Sequence, residues 1–71
     1  SLRTQLDVWA NRASWQLVWN ADTDLDMQSR ATFRGNFVAA VTQLFEGLHA
    51  AGFPLRAIFY PANSVLEVSD R

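Results

Sequence analysis

The chain has 71 residues and therefore one domain at most, and a domain of this size buries roughly 60% of the surface that its unfolded chain exposes. A hydrophobic fraction of 49% excludes a disordered segment, and the absence of cysteine excludes disulfide bonds and thiolate metal sites as sources of stability. The net charge of −1, with dispersed arginines and no lysine, argues against a general nucleic-acid binder, because such proteins cluster basic residues against phosphates.

Residues 1–13 predict the first helix. Its apolar residues recur at helical spacings and form one stripe: Leu2, Leu6, Trp9, Ala10 and Ala13. Ser1 is the predicted N-cap, and Arg12 suits the negative end of the helix dipole. We therefore expect a helix with one face packed against the rest of the domain.

The stretch ASWQLVWN, residues 13–20, alternates large apolar residues with milder ones, which is the period of a half-buried strand. Trp15, Leu17 and Trp19 form its predicted core face. Trp9 lies on the core stripe of the helix, so all three tryptophans are interpreted as core residues. The alternative is that Trp19, at the end of the strand, is partly exposed at a contact with a partner protein.

A polar loop with three alternating carboxylates follows: Asp22, Asp24 and Asp26. Alternating acids also begin a calcium-binding EF-hand loop, which requires a glycine at its sixth position and a glutamate at its twelfth. Those positions hold Met27 and Phe33 here. The pattern therefore predicts a solvated loop, not a calcium site.

A short second strand is predicted around residues 30–34. It places Ala31 and Phe33 on one face and Arg34 on the other. A glycine follows it and ends the alternating pattern.

The second helix is the clearest predicted element, over FVAAVTQLFEGLHAAG, residues 37–52. Its apolar stripe consists of Phe37, Val41, Leu44, Phe45 and Leu48. Asn36 is the predicted N-cap, Gly52 occupies the position of a left-handed C-terminal cap, and Pro54 prevents continuation. Gly47 lies inside the pattern, where it weakens the helix by about 1 kcal/mol relative to alanine, and is interpreted as a point of close approach to a strand.

The end of the chain predicts a β-hairpin. The segments LRAIFY (55–60) and SVLEVS (64–69) both alternate in polarity, and PAN forms the turn between them. The predicted order is helix, strand, strand, helix, strand, strand. This order indicates an α+β fold in which two helices pack with small β-sheets.

Residue types that carry out catalysis are isolated in this sequence. His49, the only histidine, lies beside Leu48 at the flank of the apolar stripe and is interpreted as a boundary residue near a helix C-terminus. The serines and threonines lack a nucleophile motif, and the isolated glycines form no phosphate-binding loop. With one histidine and no cysteine, a metal site is not expected. The sequence thus predicts a protein that is not an enzyme and that binds no cofactor or metal.

The order of the motifs resembles a known family. A W-x-L-x-W strand follows the first helix, then come an acidic loop, F-x-G-x-F before an amphipathic helix, and a closing R-A-x-F-Y-x-x-N-x-V-L-x-V hairpin. This series resembles the C-terminal domain of the toxin-coregulated pilus biosynthesis protein Q family and the related PilL-type proteins of conjugative type IV pili. The residues that carry the likeness span nearly the whole chain: Leu2, Leu6, Trp9, Ala10, Trp15, Leu17, Val18, Trp19, Phe33, Gly35, Phe37, Ala40, Val41, Leu44, Leu55, Arg56, Ala57, Tyr60, Asn63, Val65, Leu66 and Val68.

A more distant likeness is to the N0 domain of secretins and the signalling (STN) domain of TonB-dependent receptors. It implies a fold with two helices between two small β-sheets, and a periplasmic or outer-membrane-associated assembly protein that contacts the pilus secretin. It supplies no catalytic residues. In that fold a strand precedes the first helix, whereas this chain begins with the helix. We therefore expect the chain to be one domain, residues 1–71, of a larger envelope protein, with its first strand cut off or supplied by another molecule.

Without that first strand, the predicted strand at 30–34 becomes an open edge, which can accept a strand from a partner or from a sister chain. The residues predicted to contact a partner are Trp19, Ala31, Phe33, Arg34, Arg56 and Glu67.

The resulting hypothesis is a non-catalytic protein–protein interaction module of a type IV pilus apparatus in the Gram-negative periplasm. No apolar run reaches the ~20 residues of a membrane span, so no transmembrane segment is expected. One alternative is the signalling domain of a TonB-dependent receptor, whose partner is an anti-sigma regulator. Another is a small envelope enzyme or wall-binding domain that stacks a glycan on Trp19.

Overall fold

The computed structural model describes residues 1–26 and 35–70. In chain order, the elements are α1 (Leu2–Arg12), β1 (Gln16–Asn20), α2 (Phe37–Ala50), β2 (Arg56–Tyr60), a short 3-10 helix (Pro61–Asn63) and β3 (Val65–Ser69). The α+β class is therefore confirmed. The predicted strand at 30–34 lies outside the described residues, together with the predicted contact residues Ala31, Phe33 and Arg34.

The three described strands form one sheet in the order β1-β3-β2. The strand β3 pairs in parallel with β1 and antiparallel with β2. The antiparallel pair is the predicted hairpin, and its turn is the predicted PAN segment, which ends at Ser64 in the left-handed conformation (φ 53°). The parallel pair requires a crossover, and α2 lies within that connection.

The first turn of α1 is capped by its own sequence and by the acidic loop. The Ser1 hydroxyl accepts a hydrogen bond from the Thr4 amide, as predicted. The carboxylate of Asp24 accepts from the Arg3 amide at 3.0 Å, and the Leu2 amide donates to the Leu25 carbonyl at 2.8 Å. These contacts satisfy amide groups that have no partner within the helix, and they hold residues 21–26 against α1.

The second helix begins and ends at the predicted signals. The side chain of Asn36 accepts hydrogen bonds from the first turn, and Gly52 adopts a φ of +88° just after the helix. The amides of Gly52 and Phe53 donate to the carbonyls of His49 and Leu48, which is the Schellman arrangement of hydrogen bonds. Local sequence signals therefore define this element.

The interpretation of Gly47 as a close approach to a strand is wrong. No described atom lies within 4 Å of the position that an added Cβ would occupy, and the residue is exposed. The glycine lies in an ordinary helical position on the solvent side of α2.

The core lies between the two helices and one face of the sheet. Its buried members are Leu2, Leu6, Trp9, Ala10, Phe37, Val41, Phe45, Leu55, Leu66 and Val68. Trp15 and Trp19 are half-buried and pack against this cluster, and the Trp15 ring lies 5.3 Å from the Phe37 ring. Trp9, which is only 4% exposed, is a core residue as predicted, whereas Trp15 and Trp19 pack against the core but stay partly exposed.

Candidate functional site

Both helices pack on one face of the sheet, and no other described helix or strand covers the opposite face. The core side contains Leu17, Trp19, Ala57, Phe59, Leu66 and Val68. Because side chains alternate along a strand, the remaining strand residues share the opposite face. We call it the open sheet face, and it consists of Gln16, Val18, Asn20, Arg56, Ile58, Tyr60, Val65, Glu67 and Ser69.

The centre of the open sheet face is a row of three side chains across the three strands. Val18, Glu67 and Ile58 are directly opposite one another in the sheet register, and each is half-buried. Val65 and Tyr60 form the adjacent row, and Tyr60 is 45% exposed. A carboxylate therefore lies between two aliphatic side chains on an otherwise apolar strip.

Two neutral side chains hold the Glu67 carboxylate in place. The Asn20 side-chain amide donates to Oε2 at 2.7 Å, and the Tyr60 hydroxyl donates to Oε1 at 3.0 Å. Both contacts are diagonal ones between neighbouring strands. The hydrogen bond to Glu67 and the negative charge of this carboxylate raise the pKa of Tyr60. Neutral donors orient the carboxylate without neutralising it, so it keeps its charge for a further contact.

The structure separates the predicted contact residues. Arg56 and Glu67 lie on the open sheet face, with Arg56 exposed at its edge. Trp19 lies on the core side instead, and the other three predicted residues lie outside the described residues. Sequence reasoning missed Asn20, because only the parallel pairing of β1 with β3 brings it to Glu67.

A cleft of about 220 Å³ lies beside Trp19, on the core side of the sheet. Its lining residues are Arg3, Thr4, Asp7, Leu17 and Trp19. The Arg3 guanidinium carbon lies 6.0 Å from the Trp19 ring centroid, at the outer limit of a cation–π contact. This cleft thus combines an aromatic wall with charged groups from one face of α1.

The acidic loop and the histidine have structural roles. Partial burial raises the pKa of Asp24, but hydrogen bonds from the Arg3 amide, the Ser1 hydroxyl and the Leu25 amide outweigh it, and the pKa lies below its usual value. The His49 Nε2 donates to the Leu55 carbonyl at 2.6 Å, which ties the end of α2 to the start of β2. These contacts account for Asp24 and for the position of the histidine.

Within residues 1–26 and 35–70, no group of three or more histidine, cysteine or acidic residues is arranged to hold a metal ion. In the same ranges, neither helix has the length and apolar character needed to cross a membrane.

Comparison with known proteins places this geometry in a family context. The family model described as toxin co-regulated pilus biosynthesis protein Q matches residues 1–71, the entire chain. No curated protein and no solved structure shows significant similarity to it.

Proposed function

Because the chain belongs to the toxin co-regulated pilus biosynthesis protein Q family, we propose that it is a non-catalytic interaction module of a type IV pilus apparatus. In this proposal it acts in the periplasm and docks through its open sheet face onto the outer-membrane secretin. The description of the family supports a role in pilus biosynthesis and hence assembly proteins as partners. The secretin is the partner that the sequence resemblance implies.

The open sheet face is the observation that carries this proposal. Val18 and Ile58 flank Glu67 at its centre, while Asn20 and Arg56 lie towards one end. Protein interfaces combine apolar area with polar groups, and here two aliphatic side chains flank a single central carboxylate. The exposed Tyr60 adds a residue type that is enriched at interfaces, because its ring is apolar and its hydroxyl forms hydrogen bonds.

Charge on the open sheet face provides specificity. Glu67 is oriented by Asn20 and Tyr60, so it can accept a cationic side chain of the partner without losing these hydrogen bonds. Arg56 begins β2 at the edge of the sheet and also lines a cleft with Glu46 and His49 of α2. A charge at a fixed point of a surface sets the register of a docked partner and rejects mismatched ones.

A non-catalytic role agrees with the contacts of the reactive residue types. The imidazole of His49 donates to a backbone carbonyl, and the carboxylate of Asp24 caps a helix. Each of these groups already has a structural task. The glycan-binding alternative would use the cleft beside Trp19, and no observation within the described residues favours the receptor-signalling alternative.

The proposal is tested by affinity capture from envelope extracts of a strain that carries this pilus apparatus. The immobilised chain is compared with an Ile58→Glu variant, which places a second negative charge beside Glu67. The matched control is Val8→Glu, because Val8 is an exposed apolar residue of α1 (43% exposed) away from the open sheet face. We expect the wild type and the control to retain the secretin and Ile58→Glu to lose it.

Circular dichroism verifies that both variants remain folded. Failure of the wild type to retain the secretin, or equal capture by both variants, would contradict the proposal.

A further inference from the structure

The strand β1 has a free edge in the described part of the chain. It lies at one side of the three-stranded sheet, where β3 is its pairing partner. The Gln16 amide donates to the Ser64 carbonyl at 2.8 Å, so the backbone groups of Gln16 face β3. Because these groups alternate in direction along a strand, the N–H and C=O groups of Leu17 and Trp19 face away from the sheet. An edge of this kind is a template for pairing with another chain.

The cleft beside Trp19 adjoins this edge. Leu17 and Trp19 contribute both the outward-facing backbone groups and the sheet wall of the cleft, while the opposite wall comes from α1. On that wall, Arg3 and Asp7 are four residues apart and therefore share one helix face. A strand added to β1 would send every second side chain to the core side, towards the cleft.

From this arrangement we infer that the free edge of β1 binds an extended segment of a partner protein as an added strand, with one side chain of that segment anchored in the cleft. Backbone hydrogen bonds supply affinity in this recognition mode, and side-chain pockets supply specificity. This surface differs from the open sheet face, so the inference holds or fails independently of the docking of the secretin.

The lining of the cleft defines the anchor. The residues that line the cleft suit a partner side chain with an apolar ring and a polar tip. The ring would pack against Trp19 and Leu17, and the tip would lie between the guanidinium of Arg3 and the carboxylate of Asp7. Tyrosine meets both requirements, because its hydroxyl donates to a carboxylate and accepts from a guanidinium. The partner segment is therefore an extended peptide that carries a tyrosine, flanked by residues that favour strands.

The test uses random peptides displayed on phage, each about twelve residues long, which exceeds the length of a typical strand. They are selected against the immobilised 71-residue chain. We expect tyrosine-containing peptides to be enriched, and their synthetic forms to shift the NMR amide signals of Leu17 and Trp19. Methylation of alternate peptide nitrogens removes backbone donors and should weaken binding at least about tenfold.

A matched pair of variants locates the anchor. Thr4→Phe fills the cleft from α1 and should weaken binding at least about tenfold, because the tyrosine then has no space. Gln43→Phe introduces the same side chain at an exposed position of α2, away from the cleft, and should leave the affinity unchanged.

Several outcomes would overturn the inference. They are the absence of any enriched peptide, signal shifts confined to the open sheet face, and affinity that survives the methylated peptide or Thr4→Phe. Analytical ultracentrifugation that shows dimers formed through this edge would also overturn it, because a second copy would then be the occupant.

Discussion

Glu67 is the residue on which the proposed recognition surface depends. An ionised side chain at the centre of a sheet face is costly to cover unless its charge is paired. Here Asn20 and Tyr60 hold the carboxylate at a fixed position, and neither donor carries a positive charge. In the proposed function, the Glu67 carboxylate therefore binds a cationic side chain of the partner. Its environment can be probed directly, because Tyr60 is the only tyrosine in the chain.

Substitution Glu67→Gln should lower the pKa of Tyr60 towards its usual value. In the folded wild type this pKa is raised, because the phenol donates to Glu67 and the phenolate would face its negative charge. The hydrogen bond therefore stabilises the fold below the pKa of tyrosine in the unfolded chain, and this contribution is lost as the pH rises through the folded pKa. Ultraviolet absorbance of the tyrosinate measures the shift. Glu46→Gln, on the exposed side of α2, is the control, and equal pKa values in all three proteins would rule out the contact.

Asp24 links the acidic loop to α1, and Asp24→Ala should lower the free energy of unfolding by about 1 kcal/mol. Burial raises the pKa of Asp24, but the hydrogen bonds that its carboxylate accepts lower the pKa by more. The net pKa is therefore below the usual value. Its stabilisation is therefore present above the pKa of an unfolded aspartate and is lost as the pH falls through the folded pKa.

Urea unfolding of wild type and Asp24→Ala at neutral and acidic pH measures this effect. Asp26→Ala, an exposed aspartate of the same loop, serves as the control. The capping role is wrong if both substitutions have the same effect, or if the difference between wild type and Asp24→Ala does not shrink at acidic pH.

At the scale of elements, local chemistry decides where helices begin and end. Long-range strand pairing decides which side chains meet on one face of the sheet. Ser1, Asn36 and Gly52 could be identified from sequence, because caps act over a few neighbouring residues. The meeting of Asn20 with Glu67 could not be identified, since no local signal encodes a parallel pairing between strands 47 residues apart. The sequence predicts Arg56 and Glu67 as contact residues, but the surface that they share follows only from the strand order.

The two glycines at the end of α2 should respond oppositely to alanine. Gly47 has ordinary helical geometry and open space at its Cβ position, so Gly47→Ala should raise the free energy of unfolding by about 1 kcal/mol. Gly52 also has open space but a φ of +88°, so Gly52→Ala should lower it by roughly 1 kcal/mol through backbone strain alone.

Chemical denaturation of the two variants measures both effects, and each serves as the control for the other. If Gly47→Ala lowers the free energy of unfolding instead, another part of the chain packs closely against Gly47, as the sequence analysis predicts.

At the scale of the whole molecule, the proposed function places the core on one face of the sheet and the docking surface on the other. The buried core, including Leu66 and Val68 of the central strand, lies between the helices and the inner face. With no cysteine in the chain, this packing must stabilise the fold without disulfide bonds. Among the described residues, no helix or strand covers the outer face, which suits its proposed role in docking a partner during pilus biosynthesis.

The most direct test of this assignment is site-specific photo-crosslinking in intact cells. A photoreactive phenylalanine analogue is placed at Ile58 on the open sheet face or, as the control, at Val8 on α1, and the crosslinked partners are identified by mass spectrometry. The account predicts that Ile58 captures the outer-membrane secretin and that Val8 does not. Capture of the secretin from Val8 alone, or from neither position, would contradict it.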